Sequence, residues 1–350
     1  MPAAAIDVLV RGAGPVGCVA ALALQDANRS VRLIGSETIP TPFRPIVLSY
    51  ASRLILERVG VWHALAPAAI ETIHVSQAGG FGRTVFDARD AGVPALGYVL
   101  EYSALLHALR SAARNLLVQD EPEARCVVHA EGAAPDAGEK RYAQDALVAS
   151  VRFADAAHST AFERFTNEGP LALLPMAGGY AVVWSMRPAR AQKLLSASEK
   201  DFLEELAGAA GTRPGRPLSV DARAVQPLAL RVRQKCIAER AVYIGNAAHT
   251  LHPVAGQGLN LGLRDAWDLA QIMREAQDPG DAALLQRFAA RRRVDAGAAI
   301  RVTDLLAQAF LRSNLPFKLF AGAALTVLDI FPAPRRFFAR RMIFGPSALP

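Results

Sequence analysis

The sequence predicts an α/β fold: a parallel strand–helix–strand unit, interleaved with a second unit built on a mixed sheet, then a helical C-terminal region. Three observations predict it. Ile6–Val10 (IDVLV) is a short, β-branched apolar run suited to a buried parallel strand, and it leads through a glycine turn into a helical stripe of Val16, Val19, Ala20, Ala23 and Leu24. Val31–Ile34 (VRLI) supplies the returning strand. Further on, Ala146–Phe153, Leu171–Leu174 and Tyr180–Met186 alternate or run apolar, which suggests a sheet distinct from the first.

The remaining elements follow the same logic. Ile73–Ser76 and Thr84–Phe86 read as strands, Ser103–Arg114 and Glu199–Ala209 as helices, and EGAAPDAGEK (131–140) as loop. Ala241–Ile244 (AVYI) is another buried strand. After it the chain turns helical, with one stripe of Leu259, Leu263, Ala266 and Ala270 and another of Val302, Leu305, Leu306, Ala309 and Phe310. No internal repeat interrupts this order.

The 350 residues exceed the usual size of one domain, and 52% hydrophobic against 20% charged residues is ample for a core and excludes a disordered chain. Cys18, Cys126 and Cys236 are odd in number and scattered, so they frame neither a disulfide scaffold nor a CxxC metal site, which suits a reducing compartment. The N-terminus lacks the pattern of a secretory signal, and no apolar run is long enough to span a bilayer. These features predict a cytoplasmic, soluble protein.

Gly12-Ala13-Gly14-Pro15-Val16-Gly17 matches G-x-G-x-x-G, and its place between a strand and an amphipathic helix raises it above a chance turn. Such a turn closes tightly and brings backbone N–H groups to a pyrophosphate at the helix N-terminus, the Rossmann-like device for dinucleotides. The acidic residue usual at the end of the second strand is displaced: its position falls on Gly35, with Glu37 two residues later.

A second glycine-rich helix start lies at Gly245–Ala266, GNAAHTLHPVAGQGLNLGLRDA. A helix beginning at Gly256-Gln257-Gly258 presents unpaired N–H groups and the positive end of its dipole. The N1/O2 edge of a reduced flavin is negative, and a helix start aimed there favours that anion.

With these residues in view, the chain resembles the UbiH-like hydroxylases of ubiquinone biosynthesis, within the single-component FAD monooxygenases of the p-hydroxybenzoate hydroxylase class. The resemblance rests on GAGPVG, LSYASRLILERVGVW (48–62), IHVSQAGGFGRT (73–84), AFERFTNEGPLALLP (161–175) and the 245–266 motif, in order over nearly the whole chain. It implies an FAD-binding domain assembled from 1–72, 101–150 and 236–295, a substrate domain from 73–100 and 151–235, and a C-terminal helical region at 296–350.

The resemblance also implies the chemistry. NADPH or NADH reduces FAD without a second dinucleotide domain, reduced flavin takes up O2 as a hydroperoxide, and its distal oxygen passes to a phenol ring. Gly12, Gly14 and Gly17 would cradle the pyrophosphate. Arg44 would lie near the flavin, and Asn246 would contact the ribityl chain where the wider class has Asp. Pro253, Gly256, Gln257, Gly258 and Asn260 would wrap the ring edge. His252, beside Pro253, would hydrogen-bond the phenol or a developing phenolate, or pack as a structural histidine under the cofactor. His249 and His252, three apart without a Cys or carboxylate at ligand spacing, do not make a metal site.

Two departures from the family pattern stand out. Glu131-Gly132 replaces the usual Asp-Gly with no Ser-x-x-Arg after it, and the segment from Ala108 to His129 is short where relatives carry extra strands.

The charge is unevenly placed. From Arg312 onward, Arg312, Lys318, Arg335, Arg336, Arg340 and Arg341 stand against Asp329 alone, so +5 of the net +7 lies in this tail. Phe317, Phe320, Ala321, Ala324, Leu325 and Leu328 share one face of the preceding helix, an arrangement that fits packing on the chain's own domain or a dimer partner, or peripheral contact with an anionic membrane. Few aromatics interleave with the basic residues, which argues against nucleic acid. The sequence thus predicts an FAD-dependent hydroxylase of a lipophilic polyprenylphenol, peripheral on the inner face of the membrane, as a homo-oligomer or in a quinone-synthesis complex. The alternatives are a hydroxylase of a small soluble phenol and a non-catalytic flavin-binding component of such a complex.

Overall fold

The computed structural model describes residues 5–36, 43–132, 138–251, 256–311 and 315–345. The chain opens with β1 (Ile6–Arg11), α1 (Pro15–Asp26), β2 (Val31–Ile34), β3 (Pro45–Ser49) and α2 (Tyr50–Arg58), followed by β4 (Ala68–Ile70), β5 (Thr72–Gln77), β6 (Arg83–Asp87), α3 (Ala88–Ala91), β7 (Gly97–Glu101) and α4 (Tyr102–Ala113). The middle comprises β8 (Ala124–His129), β9 (Gly138–Ala154), β10 (Thr160–Phe165), β11 (Pro170–Met176), β12 (Gly179–Met186), α5 (Pro188–Ser196), α6 (Glu199–Ala210) and β13 (Arg216–Val232). After these come β14 (Ile237–Ala238), β15 (Ala241–Tyr243), β16 (His249–Thr250), α7 (Gln257–Met273), α8 (Ala282–Leu311), α9 (Leu315–Ile330) and α10 (Pro332–Phe344).

Three sheets organise these elements. The first runs β14-β15-β8-β1-β2, with β15, β8, β1 and β2 parallel. Val8 and Val10 are fully buried on the one face that α1 and α7 cover, whereas the other face carries Leu9 between half-buried Val127 and exposed Arg32. α1 and α7 pack together against it through Val19, Ala20, Leu263 and Ala266. Pro15 starts α1, where its missing N–H leaves nothing unsatisfied.

The second sheet runs β16-β13-β9-β12-β11-β10-β5-β6, antiparallel except for the β10–β5 pair. Strand alternation gives it two apolar faces. Leu147, Leu171, Val182 and Trp184 meet Leu194, Phe202 and Leu206 of α5 and α6 on the outer face. The inner face carries Ala161, Leu174 and Met176, which meet Val47, Ile70 and Val99 of the small third sheet, β3-β7-β4. The α/β class, with a mixed sheet set into a parallel one, is therefore as the sequence predicts.

Two readings need correction. β9 begins at Gly138 and pairs with β13 from there, so 138–150 runs in the eight-stranded sheet, not in a loop or in the parallel unit. Long alternating stretches such as Tyr142 to Ala146 carry a strand through polar residues when a partner strand is present. α9 buries only part of the apolar face expected of it. Leu325 and Leu328 pack on the sheet side, whereas Phe320 is 71% exposed. Gly322 sets the rotation of the helix by abutting the Phe81 carbonyl, which a Cβ would approach to 2.6 Å. Arg335 is not a free surface charge: it pairs with Asp90 at 3.0 Å and donates to the Asp329 carbonyl at 2.9 Å.

Candidate active site

The glycine turn follows directly from β1. Gly12 adopts φ +106° and donates its N–H to the Ile34 carbonyl at 2.7 Å, locking the turn to the end of β2. Gly17 is required by close approach, since a Cβ there would overlap the Gly12 carbonyl oxygen. Gly14 caps α1 without any side-chain bond to the helix amides, and a Cβ there would meet only the Tyr102 hydroxyl, 3.9 Å away. The first turn of α1 therefore opens its N–H groups onto free space, a cradle that fits a pyrophosphate.

Two arginines flank that cradle. The Arg44 guanidinium stacks over the Tyr102 ring, 4.6 Å from its centre, and the Tyr102 N–H donates to the Arg44 carbonyl at 2.9 Å. Burial pushes the Tyr102 phenol up despite the opposing charges of Arg44 and Arg110, so it stays a hydrogen-bond donor at neutral pH. Arg110 braces the turn from α4, donating Nε to the Ala13 carbonyl at 3.0 Å and Nη2 to the Ser36 carbonyl at 2.7 Å.

The second helix start lies across from this turn. Gly256 sits in the left-handed region, φ +59°, as the residue before α7, and no side chain among the described residues caps that end. Val47 of β3 stands 3.3 Å from where its Cβ would be, so the helix start abuts the third sheet. Gln257 Nε2 donates to the Met342 carbonyl of α10 at 3.3 Å. Gly258 leaves room beside Leu251, and Asn246 is exposed on a short turn spanning Gly245–Ala247. His252, Pro253 and Glu37 lie outside the described residues.

Asn260 is 1% exposed, and its amide is saturated within the protein. Its Nδ2 donates to the carbonyls of Val47 (2.8 Å) and Gly256 (2.7 Å), while its Oδ1 accepts from the Ser49 N–H (2.8 Å) and the Ser52 hydroxyl (2.7 Å). It ties β3, α2 and the start of α7 into one unit. Any influence of Asn260 on a bound ring is thus exerted through the backbone it holds.

Beneath the turn at Gly245 runs a buried charge network. Asp265 Oδ2 accepts from the Gly245 N–H at 3.0 Å and from His249 Nε2 at 2.8 Å, and its Oδ1 accepts from Arg292 Nε at 2.7 Å. Arg292 also reaches Asp268 (2.8 Å) and Asp295 (2.7 Å), and Arg264 pairs with Asp295 at 2.9 Å. Burial alone would raise the Asp265 pKa, but the charges of His249 and Arg292 outweigh it and hold the carboxyl well below the usual range. The network fastens the 245–249 loop to α7 and α8.

The inner face of the large sheet closes the site from the opposite side. Phe162 points outward, stacked on His74, so its neighbours Ala161 and Glu163 on β10 point inward. Ala161 packs with Val99 and Ile70, in the cluster that Val47 joins from beside Gly256. Glu163 lies one inward step further along, between Val75 of β5 and Ala172 of β11. It has no hydrogen-bond or ion-pair partner among the described residues, and burial raises its carboxyl to about 7.

Structure brings together Gly12, Gly14, Gly17 and Arg44 at one helix start, and Gly256, Gln257, Gly258 and Asn260 at the other. Sequence reasoning did not find Tyr102, Arg110, Asp265, Arg292 or Glu163. Arg292 sits in a run of three arginines that reads as a solvated face, and Glu163 in a strand whose alternation alone does not say which face is covered.

Comparison with known proteins agrees with this geometry. A protein family described as FAD binding domain matches residues 133–303. The uncharacterized protein slr1300 of Synechocystis sp. is 30% identical, over 97% of this chain and 93% of its own length. The ubiquinone hydroxylase UbiL of Rhodospirillum rubrum is 28% identical over 95% of this chain and 88% of its own. The crystal structure of p-nitrophenol 4-monooxygenase PnpA from Pseudomonas putida shares the fold, with a TM-score of 0.78 at 16% identity and 99% of each chain covered. With two glycine-rich helix starts that carry no side-chain cap among the described residues, and relatives matched along almost its whole length, the chain belongs to the UbiH-like family of FAD-dependent aromatic monooxygenases.

Proposed function

We propose that this enzyme hydroxylates the ring of a polyprenylated phenol on the route to ubiquinone, using NAD(P)H and O2. The observation that carries this reading is the apposition of the α7 start to the inner face of the large sheet. Gly256 touches Val47, Val47 joins the cluster of Ile70, Val99 and Ala161, and Glu163 follows on the same face of β10. The name of the Rhodospirillum relative supplies the ubiquinone context.

In this reading the parallel sheet and its helices hold the cofactor, and the eight-stranded sheet faces the substrate. Gly12, Gly14 and Gly17 admit the pyrophosphate at the start of α1, with Arg44 and Tyr102 beside it. Asn246, Gly256, Gln257 and Gly258 offer backbone and amide donors to the ribityl chain and ring edge, and Asn260 positions them. Bound and reduced by NAD(P)H, FAD would activate O2, one atom of which goes to the ring while the other leaves as water.

The chain's own part is to orient the phenol, keep water away and hold its proton. Ile73, Val75, Ala161, Leu174 and Met176 give an apolar wall that excludes water. Glu163 Oε accepts the phenol proton, which raises electron density on the ring as it is attacked. A carboxyl raised to about 7 is suited to that task near neutral pH.

A lipophilic substrate calls for access from a membrane. No helix among the described residues is long and apolar enough to cross one. Among the described residues, eight of the eleven large exposed apolar side chains lie on α9, α10, Phe331 between them and the adjoining Phe81 loop, beside exposed Arg336 and Arg340, so we assign this surface to peripheral contact with the cytoplasmic face of the membrane.

The test is anaerobic reduction of the purified flavoprotein by NADPH, with and without a 2-polyprenylphenol, followed by product analysis in air. Faster flavin bleaching with the phenol, and a hydroxylated product, are expected. Equal stimulation by a short water-soluble phenol but none by the prenylated one would reassign the substrate.

A further inference from the structure

A cavity lies away from the two glycine-rich helix starts, at the far end of β5. It has a volume of about 680 Å³ and is lined by Arg83, Arg164 and Arg213, together with Gln77, Thr326 and Asp329. Elsewhere in the structure arginines are commonly paired, as in Arg190 with Glu205, Arg240 with Asp278 and Arg89 with Asp87. These three have no ion-pair or hydrogen-bond partner among the described residues, and Arg164 Nε is buried without one. Asp329 lines the same cavity without approaching any of them to ion-pair distance.

Three elements converge to make this cluster. Arg83 opens β6 after the glycine-rich loop at 79–82, Arg164 points outward from β10, and Arg213 follows α6. Their charges reach His74, which burial and the fields of Arg213 and Arg83 hold below its usual range. Unpaired, converging guanidiniums are a site for a phosphate, which they grip through paired N–H donors.

The rim gives the ligand its second half. Phe81, 51% exposed, crowns the glycine loop, and Ile330, 63% exposed, lies one turn from Thr326 on the same face of α9. Val327 is exposed next to them. A basic pocket bordered by exposed apolar side chains matches a phosphate that carries hydrocarbon. We propose that this cavity binds the headgroup phosphate of an anionic phospholipid, with its acyl chains against Phe81, Val327 and Ile330. The proposal extends the membrane contact assigned above by adding a specific headgroup site.

The other source of phosphate is the reductant. The cavity is five residue steps along β5 from Thr72, about 17 Å at the usual strand rise, and Thr72 is the end of β5 nearest the third sheet.

The test uses the FAD-loaded full chain and co-sedimentation with vesicles of phosphatidylcholine, with and without phosphatidylglycerol. Arg83→Gln/Arg164→Gln/Arg213→Gln should weaken binding to the anionic vesicles at least tenfold, with flavin absorbance and the KM for NADPH unchanged. Arg83→Gln/Arg213→Gln alters only exposed side chains, so it reports even if the triple variant fails to fold, and it should show a smaller loss. Arg58→Gln/Arg114→Gln removes the same charge elsewhere and should bind as wild type. If the pocket variants bind vesicles as wild type does, the proposal is overturned. A tenfold rise in KM for NADPH with unchanged vesicle binding also overturns it and gives the pocket to the reductant. Loss of binding in Arg336→Gln/Arg340→Gln alone leaves the peripheral contact standing without the headgroup site. If neither set changes binding, both ideas fall, while the hydroxylase reading rests on its own assay.

Discussion

Asp265 of α7 accepts from His249 Nε2 at 2.8 Å while its other oxygen accepts from Arg292 of α8 at 2.7 Å. One carboxylate thus holds the loop before the second helix start against two helices. Asp265→Ala leaves Arg292 buried at 4% exposure with one partner fewer, and breaking a buried ion cluster costs about 3–5 kcal/mol. The expected result is a lower urea midpoint together with weaker retention of FAD through gel filtration. A variant that unfolds like wild type and keeps its flavin would show that the network does not hold the loop.

The same carboxyl sets a pH dependence. Its folded pKa is depressed below the unfolded value, so its contribution to stability is complete above the unfolded carboxylate range near 4 and is lost as pH falls below it. Wild type should therefore lose more stability than Asp265→Asn as pH falls from about 5 to 3 in urea titrations. Parallel curves for the two proteins would contradict the assigned ion pairs.

Asn260→Ala strips the Ser49 N–H and the Val47 and Gly256 carbonyls of a partner. Leaving a buried polar group unsatisfied costs about 1–3 kcal/mol. Because these groups set the distance between β3 and the start of α7, the flavin spectrum should shift and its affinity drop by roughly tenfold. A simple loss of stability with unaltered flavin would limit Asn260 to folding.

Gly256→Ala places a side chain at φ +59° and 3.3 Å from Val47. The left-handed conformation costs a non-glycine residue roughly 1–2 kcal/mol. The prediction is a folded protein that binds FAD but is reduced more slowly by NADPH. Gly17→Ala is different, because its Cβ overlaps the Gly12 carbonyl, and that variant should purify without flavin.

Glu163→Gln removes a group on the inner face that titrates near neutrality. In wild type, kcat should rise as pH passes through about 7, where the carboxylate forms. The variant should lose that limb and run about 10²-fold slower, within the range of general base catalysis. Stability moves the other way: a carboxyl with a raised folded pKa makes wild type less stable as pH climbs from the unfolded value through about 7, and the amide does not. An unchanged pH–rate profile would remove Glu163 from the reaction.

The sequence by itself determined the first strand–turn–helix–strand unit, the glycine turn at Gly12–Gly17 and the second helix start at Gly256. Each is a local device: a β-branched run, glycines where a Cβ would collide, and an apolar stripe at helical spacing are properties of neighbours in the chain. Tertiary structure decided what is not local. It placed Arg110 under Ala13, ninety-seven residues away, and Asn260 against Ser49. It turned Arg292 from an apparent surface charge into the centre of a buried cluster, and it chose which face of β10 and of α9 is covered. Alternation and helical period specify that a face exists, but only the partner packed against it fixes whether Glu163 lies on the inner face of the sheet or Phe320 meets solvent.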